Sequence, residues 1–349
     1  MHSEREPGLS GQTEERRATE CPICGFDRLE PRFRVAFPDF APGWERAWPL
    51  DAEPPVAAWT IVGCRDCGVH FPNPFPSKAA IDDYYSLQLV HNDWEQLHYV
   101  DETEERSRAW SEMAERLTRL VGGPGRLLEI GPAAGHLLVA ARKQGWDVHG
   151  IEATPKFVKI LHERGMSVHL GTLETFETDQ RYDAVVLADV LEHLHDPVGD
   201  LRRITQLLKP DGVVLITTPD IGSMAARYYR LRWRQIVISH TFYWTEKSLT
   251  IALRRAGLEP RQISSARWWD PDPARQYTAW SREFAKLLVR QFFHHTWIPL
   301  TRRSSVARTF QKEHPWFDRL IEFRIGDQAV MSEVLLAIAS PSRSFGSAR

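Results

Sequence analysis

Cysteine is scarce: four residues in a chain of 349, too few to hold a protein of this size on a disulfide scaffold. An excess of either charge is missing too. There are 44 Lys+Arg against 46 Asp+Glu, a formal net charge of −2, and that balance gives no electrostatic footprint for nucleic acid. No apolar stretch opens the chain and no long uncharged apolar run interrupts it, which argues against a secretory leader and a membrane-spanning helix. The expectation is a cytoplasmic protein with length for two domains and a sizeable core. Oligomeric state leaves no mark in the sequence.

What cysteine there is falls in two knuckles, Cys21-Pro22-Ile23-Cys24-Gly25 and Cys64-Arg65-Asp66-Cys67-Gly68. A Cys-x-x-Cys turn followed by glycine aims two thiolates at one point, and two such turns complete a tetrahedral zinc site. A redox pair or four free thiols would not need two matched knuckles. Four thiolates fill the coordination sphere, so this zinc is expected to be structural, its loss unfolding the N-terminal part while leaving cofactor binding largely intact. Strand-like runs at Phe33–Phe37 and Ala58–Val62 flank a Pro-rich loop over 38–55. The arrangement is a zinc-ribbon-like element with an enlarged loop, the usual gap being roughly 15–20 residues.

The centre of the chain is the stretch from Arg126 to Pro155. A short apolar run ends in Glu129, followed by Gly131-Pro132-Ala133-Ala134-Gly135, a helical run, and Val148-His149-Gly150-Ile151-Glu152. This is a strand–turn–helix–strand unit of a doubly wound α/β sheet. Gly131 permits a sharp turn, and Gly135 permits close approach of a ligand to the backbone. Glu152, at the tip of the second strand, can accept bonds from both hydroxyls of a ribose. A dinucleotide turn would read Gly-x-Gly-x-x-Gly, whereas here the glycines are four apart and an acid precedes the first. The bland alternative, a glycine turn with no ligand, is weakened by an acid on each strand.

Strands and helices alternate onward: strands at Leu127–Ile130, Asp147–Ile151, Ser167–Leu170, Asp183–Ala188 and Val213–Thr217, with helices from Gly135, from Thr154-Pro155 and from Pro197 to Leu208. Such alternation forces parallel pairing with right-handed crossovers. A helix from Thr245 to Ala256, a sixth strand at Leu258–Ser264 and a closing strand at Val334–Ala339 follow. Ahead of the unit, apolar residues at Trp110, Met113, Leu117 and Leu120 predict a helix over Glu102–Val121, expected to lie over the ligand cleft. A shorter one is expected from Ser77 to Tyr85.

The turn Glu129-x-Gly131-x-x-x-Gly135 resembles motif I of the class I S-adenosylmethionine-dependent methyltransferases. The stretches Asp183–Ala188, Asp189-Val190-Leu191-Glu192-His193-Leu194-His195-Asp196-Pro197 and Leu207-Leu208-Lys209-Pro210-Asp211-Gly212 are similar to the same family, and together they cover 126–219. The double knuckle also occurs in a subgroup tied to sugar and polysaccharide pathways. The resemblance implies a Rossmann-like seven-stranded sheet and S-adenosylmethionine as cofactor. Glu129, Gly131 and Gly135 would line its methionine part, Glu152 its ribose, Leu173 its adenine, and Asp189 would sit near the sulfonium side. Ala133 departs from the glycine common in relatives, which is tolerable if the backbone there stays in a common region.

For a hydroxyl acceptor a base must take a proton, and His193 is the candidate, with Glu192, His195 and His240 as rivals. Helix capping or packing would explain His193 equally well. The segment Arg227–Trp244 is rich in arginines and large aromatics, and Arg230, Trp233 and His240 are read as acceptor contacts for a sugar, phosphate or carboxylate; a packed lid with solvated arginines is the plain alternative. Over 283–294, Phe284, Leu287, Leu288, Phe292 and Phe293 sit at helical spacing beside arginines, which permits a membrane-surface face, although packing on the domain or on a second subunit is favoured.

The division expected is a disordered tail (1–20), the zinc-ribbon-like part (21–76), a helical lead-in (77–122), the S-adenosylmethionine-binding core (123–268), a helical insertion (269–330), the closing strand (331–340) and a polar tail (341–349). The function expected is methylation of a small molecule, such as a sugar or lipid-linked glycan in polysaccharide or secondary-metabolite biosynthesis. The alternative is a non-catalytic binding module whose cofactor site is idle and whose ribbon docks a partner. An oxidoreductase using NAD is disfavoured by the glycine spacing.

Overall fold

The computed structural model describes residues 17–36, 58–76, 104–233, 235–237, 239–266 and 334–342. The expectations for residues 1–16, the Pro-rich loop, the helix at 77–85, the insertion at 269–330 with its 283–294 face, and the tail beyond 342 lie outside the described residues.

The described residues form two sheets. The smaller pairs β1 (Leu29–Ala36), β2 (Ala58–Cys64) and β3 (His70–Pro72) antiparallel in that order. Its first strand starts four residues earlier than the sequence suggested. The larger has seven strands: β4 (Arg126–Ile130), β5 (Asp147–Glu152), β6 (Ser167–Leu170), β7 (Tyr182–Ala188), β8 (Leu208–Pro219), β9 (Leu258–Ala266) and β10 (Val334–Pro341). Their order is β6-β5-β4-β7-β8-β10-β9, with β10 antiparallel to both neighbours and the other central pairs parallel. The order reverses at β4, so the crevice between the carboxyl ends of β4 and β7 is the place where such a sheet receives a ligand.

Alternate residues of the central strands feed two cores, as the period of two requires. On one face Leu127, Ala184, Val186, Val213, Leu215, Leu336 and Ile338 pack with α1 (Glu104–Val121), α2 (His136–Lys143) and Leu161 of α3 (Pro155–Glu163). The first of these helices therefore lies on the sheet beside α2 rather than over the cleft, because its buried Met113, Ala114 and Leu117 belong to this face. On the other face Leu128, Ile130, Val185, Leu187, Val214 and Ile216 pack with α4 (Pro197–Leu207) and α5 (Glu246–Arg255). The knuckle residues Cys21, Ile23, Cys64, Cys67, Val69 and Phe71 join that same core.

Helix starts follow local chemistry. Asp196 accepts from Gly199 N at 3.0 Å ahead of α4, and Thr245 and Ser248 form a reciprocal capping box at α5. Thr154 precedes α3 but makes no side-chain cap, and its N–H donates to Glu152 Oε1 at 2.8 Å. The expected turn Lys209–Gly212 is a bulge inside β8, between the pairs Tyr182–Leu208 and Ala184–Val213. Ala18, expected in the disordered tail, exchanges two 3.0 Å hydrogen bonds with the Asn73 side chain.

Candidate active site and cysteine centre

The glycine turn after β4 is built on left-handed backbone. Gly131, Ala133 and Gly135 have φ of 66°, 48° and 77°. Ala133 is therefore not in the common region that its methyl favours, and the turn holds it there: Ala133 N donates to Glu152 Oε2 at 3.0 Å. Thr154 N donates to the other oxygen, Oε1, at 2.8 Å. The two amides fix the Glu152 carboxylate at the tip of β5, 6 % exposed. Gly135 was expected to admit a ligand, but a methyl there would run into the Leu161 side chain, so its bareness lets α3 pack behind the turn. At Gly131 a methyl would come within 2.8 Å of Val190, which seats the turn against the loop after β7.

Glu129 is buried, and its Oε2 has no hydrogen-bond partner among the described residues. Burial, with the Glu152 charge adding to it, pushes its carboxyl up to about 8. An orphaned buried carboxylate oxygen beside a ribose-type acid is what a cationic ligand group would relieve. Leu173 is buried in the same core cluster as Ile130 and Ile151, just past β6. Gly171 N returns to Glu152 O at 2.9 Å, which draws this loop to the same crevice.

Across the crevice, Asp189 (φ 54°) leaves β7 with its N–H on Thr217 O, and its Oδ1 accepts from Thr217 Oγ1 at 2.9 Å. Glu192 and His193 sit on one turn of 3-10 helix, Leu191–His193. Glu192 is 1 % exposed, accepts from Thr218 Oγ1 at 2.8 Å, and burial raises its pKa well above the usual range. His193 donates from Nδ1 to Ser239 O at 3.0 Å and His240 donates from Nδ1 to Gln235 O at 2.9 Å. Their rings meet edge to face at 4.7 Å. Burial holds His193 down at about 4 and His240 well below its ordinary value, so both are neutral near pH 7.

Thr241 N and Phe242 N both donate to Glu192 O, at 2.9 and 3.1 Å. They tie the segment after β8 to the turn after β7. Of the sequence-based candidates, His193 and His240 are thus brought together with Glu192. His195 is turned away, edge-on to Phe75 at 5.0 Å with Nε2 on Pro76 O. Arg230 is exposed, at φ 50°. Trp233 is fully buried in a cluster with Val35, Trp59 and Ile61 of the small sheet, so its indole is a packing group behind the wall. An aromatic-rich segment reads the same whether its rings grip a ligand or fill a core. Thr217, Thr218 and Thr241 were missed by sequence reasoning, although two hydroxyls closing the apolar run Val213–Ile216 are a readable signal.

The four cysteines carry no disulfide, and their sulfurs lie within 4.8 Å of one another. The pairs Cys21–Cys67 and Cys24–Cys64 are 3.6 and 3.5 Å apart, close to the about 3.8 Å edge of a tetrahedron with Zn–S bonds of about 2.3 Å. The knuckles are copies of each other: Gly25 and Gly68 both have φ 82°, with N–H on Cys21 O and Cys64 O. This donor set fits a structural zinc with no open position.

The fold and this crevice define the class I methyltransferase architecture, a seven-stranded sheet with a reversed last strand and acids on β4 and β5. Residues 103–263 match a family described as a methyltransferase domain. A ubiquinone biosynthesis O-methyltransferase of Xanthomonas axonopodis pv. citri is 32 % identical over 161 residues, 42 % of this chain and 67 % of that one. The protein of that name from Bordetella avium is 31 % identical over 150 residues, 39 % of this chain and 62 % of that one. This chain spans about three fifths of the length of the first relatives it matches. An S-adenosylmethionine-dependent methyltransferase structure from Clostridium acetobutylicum overlays with a TM-score of 0.43 at 7 % identity, over 74 % of this chain and 99 % of that one. The chain belongs to the S-adenosylmethionine-dependent methyltransferases, and S-adenosylmethionine is the cofactor this family takes. Among the described residues no helix is long and apolar enough to cross a membrane.

Proposed function

We propose that the chain methylates a hydroxyl of a small acceptor, a sugar or a lipid-linked glycan, bound at the carboxyl ends of β7 and β8. The observation that carries this reading is the meeting, in one crevice, of the Glu129–Glu152 turn with the Asp189–His193 loop, across the Gly131–Val190 contact. Glu152, with both oxygens oriented by amides, takes the ribose hydroxyls. Glu129 faces the cationic methionine end, Gly131 and Gly135 shape the turn, Leu173 lies beside the adenine, and Asp189 stands at the sulfonium side. Bound S-adenosylmethionine supplies a methyl activated on a positive sulfur. Holding the acceptor oxygen in line and dry is then most of the protein's task. His193, neutral near pH 7, with Glu192 and His240 beside it, stands where the hydroxyl proton must leave. Arg230 lies on the acceptor side, and Trp233 supports that wall from behind.

Calorimetric titration with S-adenosylhomocysteine, followed by a screen of nucleotide sugars, phenols and lipid-linked glycans, tests the reading. His193→Ala is expected to lower kcat by about 10²-fold or more while leaving S-adenosylhomocysteine affinity within a few-fold. Full turnover in that variant would remove His193 from the chemistry.

A further inference from the structure

Asp189 is the first residue past β7, and its φ of 54° lies in the left-handed region that suits glycine. The Thr217 hydroxyl of β8 holds it there at two points. Asp189 N donates to Thr217 Oγ1 at 3.1 Å, and Thr217 Oγ1 donates to Asp189 Oδ1 at 2.9 Å. One hydroxyl, on a residue 2 % exposed, thus accepts from the amide and donates to the carboxylate of the same neighbour. The amide also has Thr217 O at 3.0 Å, a bond that any residue at this place on β8 would supply. What the hydroxyl adds is a fixed direction for the Asp189 carboxylate. The next residue, Val190, seats against the turn at Gly131, so the carboxylate stands beside the turn that follows Glu129. Glu192, three residues on, keeps its proton, through burial first and the Asp189 charge second.

We propose that Thr217 is a positioning residue: its hydroxyl aims the Asp189 carboxylate at the sulfonium of the cofactor, and so sets how strongly the site prefers the charged methyl donor to the neutral product. This rests on the methyltransferase reading and assigns the discrimination between the two cofactor forms to one hydroxyl of β8. S-adenosylmethionine and S-adenosylhomocysteine differ by one methyl and one positive charge. Bonds to the ribose, the adenine and the methionine end are common to both. A carboxylate held in a half-buried crevice acts on the sulfonium charge through a medium that screens less than water. The attraction fades as the sulfur loses its charge, so it serves binding of the donor and release of the product rather than the transfer step. Loss of the hydroxyl therefore falls on KM for the donor more than on kcat.

The full chain, with its cysteine-bound metal in place and no acceptor present, is titrated calorimetrically with three ligands: S-adenosylmethionine, S-adenosylhomocysteine, and sinefungin, an analogue with an amine-bearing carbon in place of the sulfur. The quantity read is the ratio of the S-adenosylhomocysteine to the S-adenosylmethionine dissociation constant. Thr217→Val keeps the side-chain shape and removes the hydroxyl. It should lower that ratio about tenfold, with S-adenosylhomocysteine affinity little changed and sinefungin weakened along with S-adenosylmethionine. Thr217→Ser should restore the parent ratio. Asp189→Asn should lower the ratio as far, and Thr217→Val should add nothing in the Asp189→Asn background. A hydroxyl that only braces the strand end would weaken all three ligands alike. Equal weakening, an unchanged ratio in Thr217→Val, failure of Thr217→Ser to restore it, or additive effects in the double variant each overturn the proposal. A parent that binds none of the three ligands sinks the methyltransferase reading and takes the proposal with it. A parent that binds all three, with a ratio that the variants do not move, sinks the positioning role alone. Should Thr217→Val not fold, Thr217→Ala and Asp189→Asn decide by the same ratio.

Discussion

Ala133 carries a methyl into a left-handed turn, where an L side chain costs roughly 1–2 kcal/mol. Ala133→Gly is expected to stabilise the protein by about 1 kcal/mol, read as a higher urea midpoint, with cofactor affinity kept. Glu152 is what holds that turn. Glu152→Ala orphans the Ala133 and Thr154 amides and removes the ribose acceptor. Loss of bonds to a charged group, about 1.5–3 kcal/mol, translates to roughly 10- to 100-fold weaker S-adenosylhomocysteine binding by titration; parent-like binding would refute the ribose placement. Glu129 gives a pH signature. Its folded value, about 8, lies above the ordinary 4.5, so its stabilising contribution is complete below about pH 4.5 and fades as pH rises through about 8. Glu129→Gln, which keeps the protonated shape, should gain stability relative to the parent as pH rises across that window. A ligand ammonium nearby favours the ionised form, so binding at pH 7 should release protons, seen as different apparent enthalpies in phosphate and Tris. The acids themselves were legible, since each lies at or one residue before the end of a strand of recognisable pattern. What the amides do to Glu152 was not, because that depends on dihedrals of a turn that composition does not reveal.

At the scale of elements, the zinc-ribbon-like part is bound into the core domain by three kinds of contact. His70 and Tyr243 exchange two backbone hydrogen bonds at 3.0 and 2.8 Å. Thr245 Oγ1 donates to Cys67 O at 3.1 Å, and the Arg255 guanidinium donates to Ile23 O. Phe71 and Phe75 meet the Phe242 ring at 6.3 and 5.4 Å. Segment 241–245 is therefore clamped between the knuckles on one side and the Glu192 turn on the other. The knuckles were legible from spacing alone. Their docking was not, because it pairs residues more than 170 positions apart through backbone groups that every sequence possesses. Metal loss is therefore expected to reach segment 241–245 and the Glu192 turn it is tied to. Chelation at the cysteines is expected to slow turnover and to speed hydrogen exchange at residues 239–245, measured by mass spectrometry. Exchange changes confined to residues 21–72 would show the two parts to be independent.

For the molecule as a whole, the βα alternation made the parallel strands readable, and hydrophobic runs placed β4, β5 and β7 to within about one residue, whereas β8 starts at Leu208, well before the expected run Val213–Thr217. The seven-stranded sheet was carried by family resemblance, and no local pattern says that β10 enters between β8 and β9. That insertion has a consequence for the order of assembly. Until residues 334–341 are made, β8 and β9 have no partner on their facing edges, and two rows of unsatisfied backbone groups stand open. The ladders that close them, Val334 with Pro219 and with Ala266, join segments far apart in the chain, a topology that folds slowly. A ribosome-bound chain halted before residue 334 should therefore hold a five-stranded sheet, β6-β5-β4-β7-β8, with β9 still unpaired, and should recruit chaperones that release of the last strand retires.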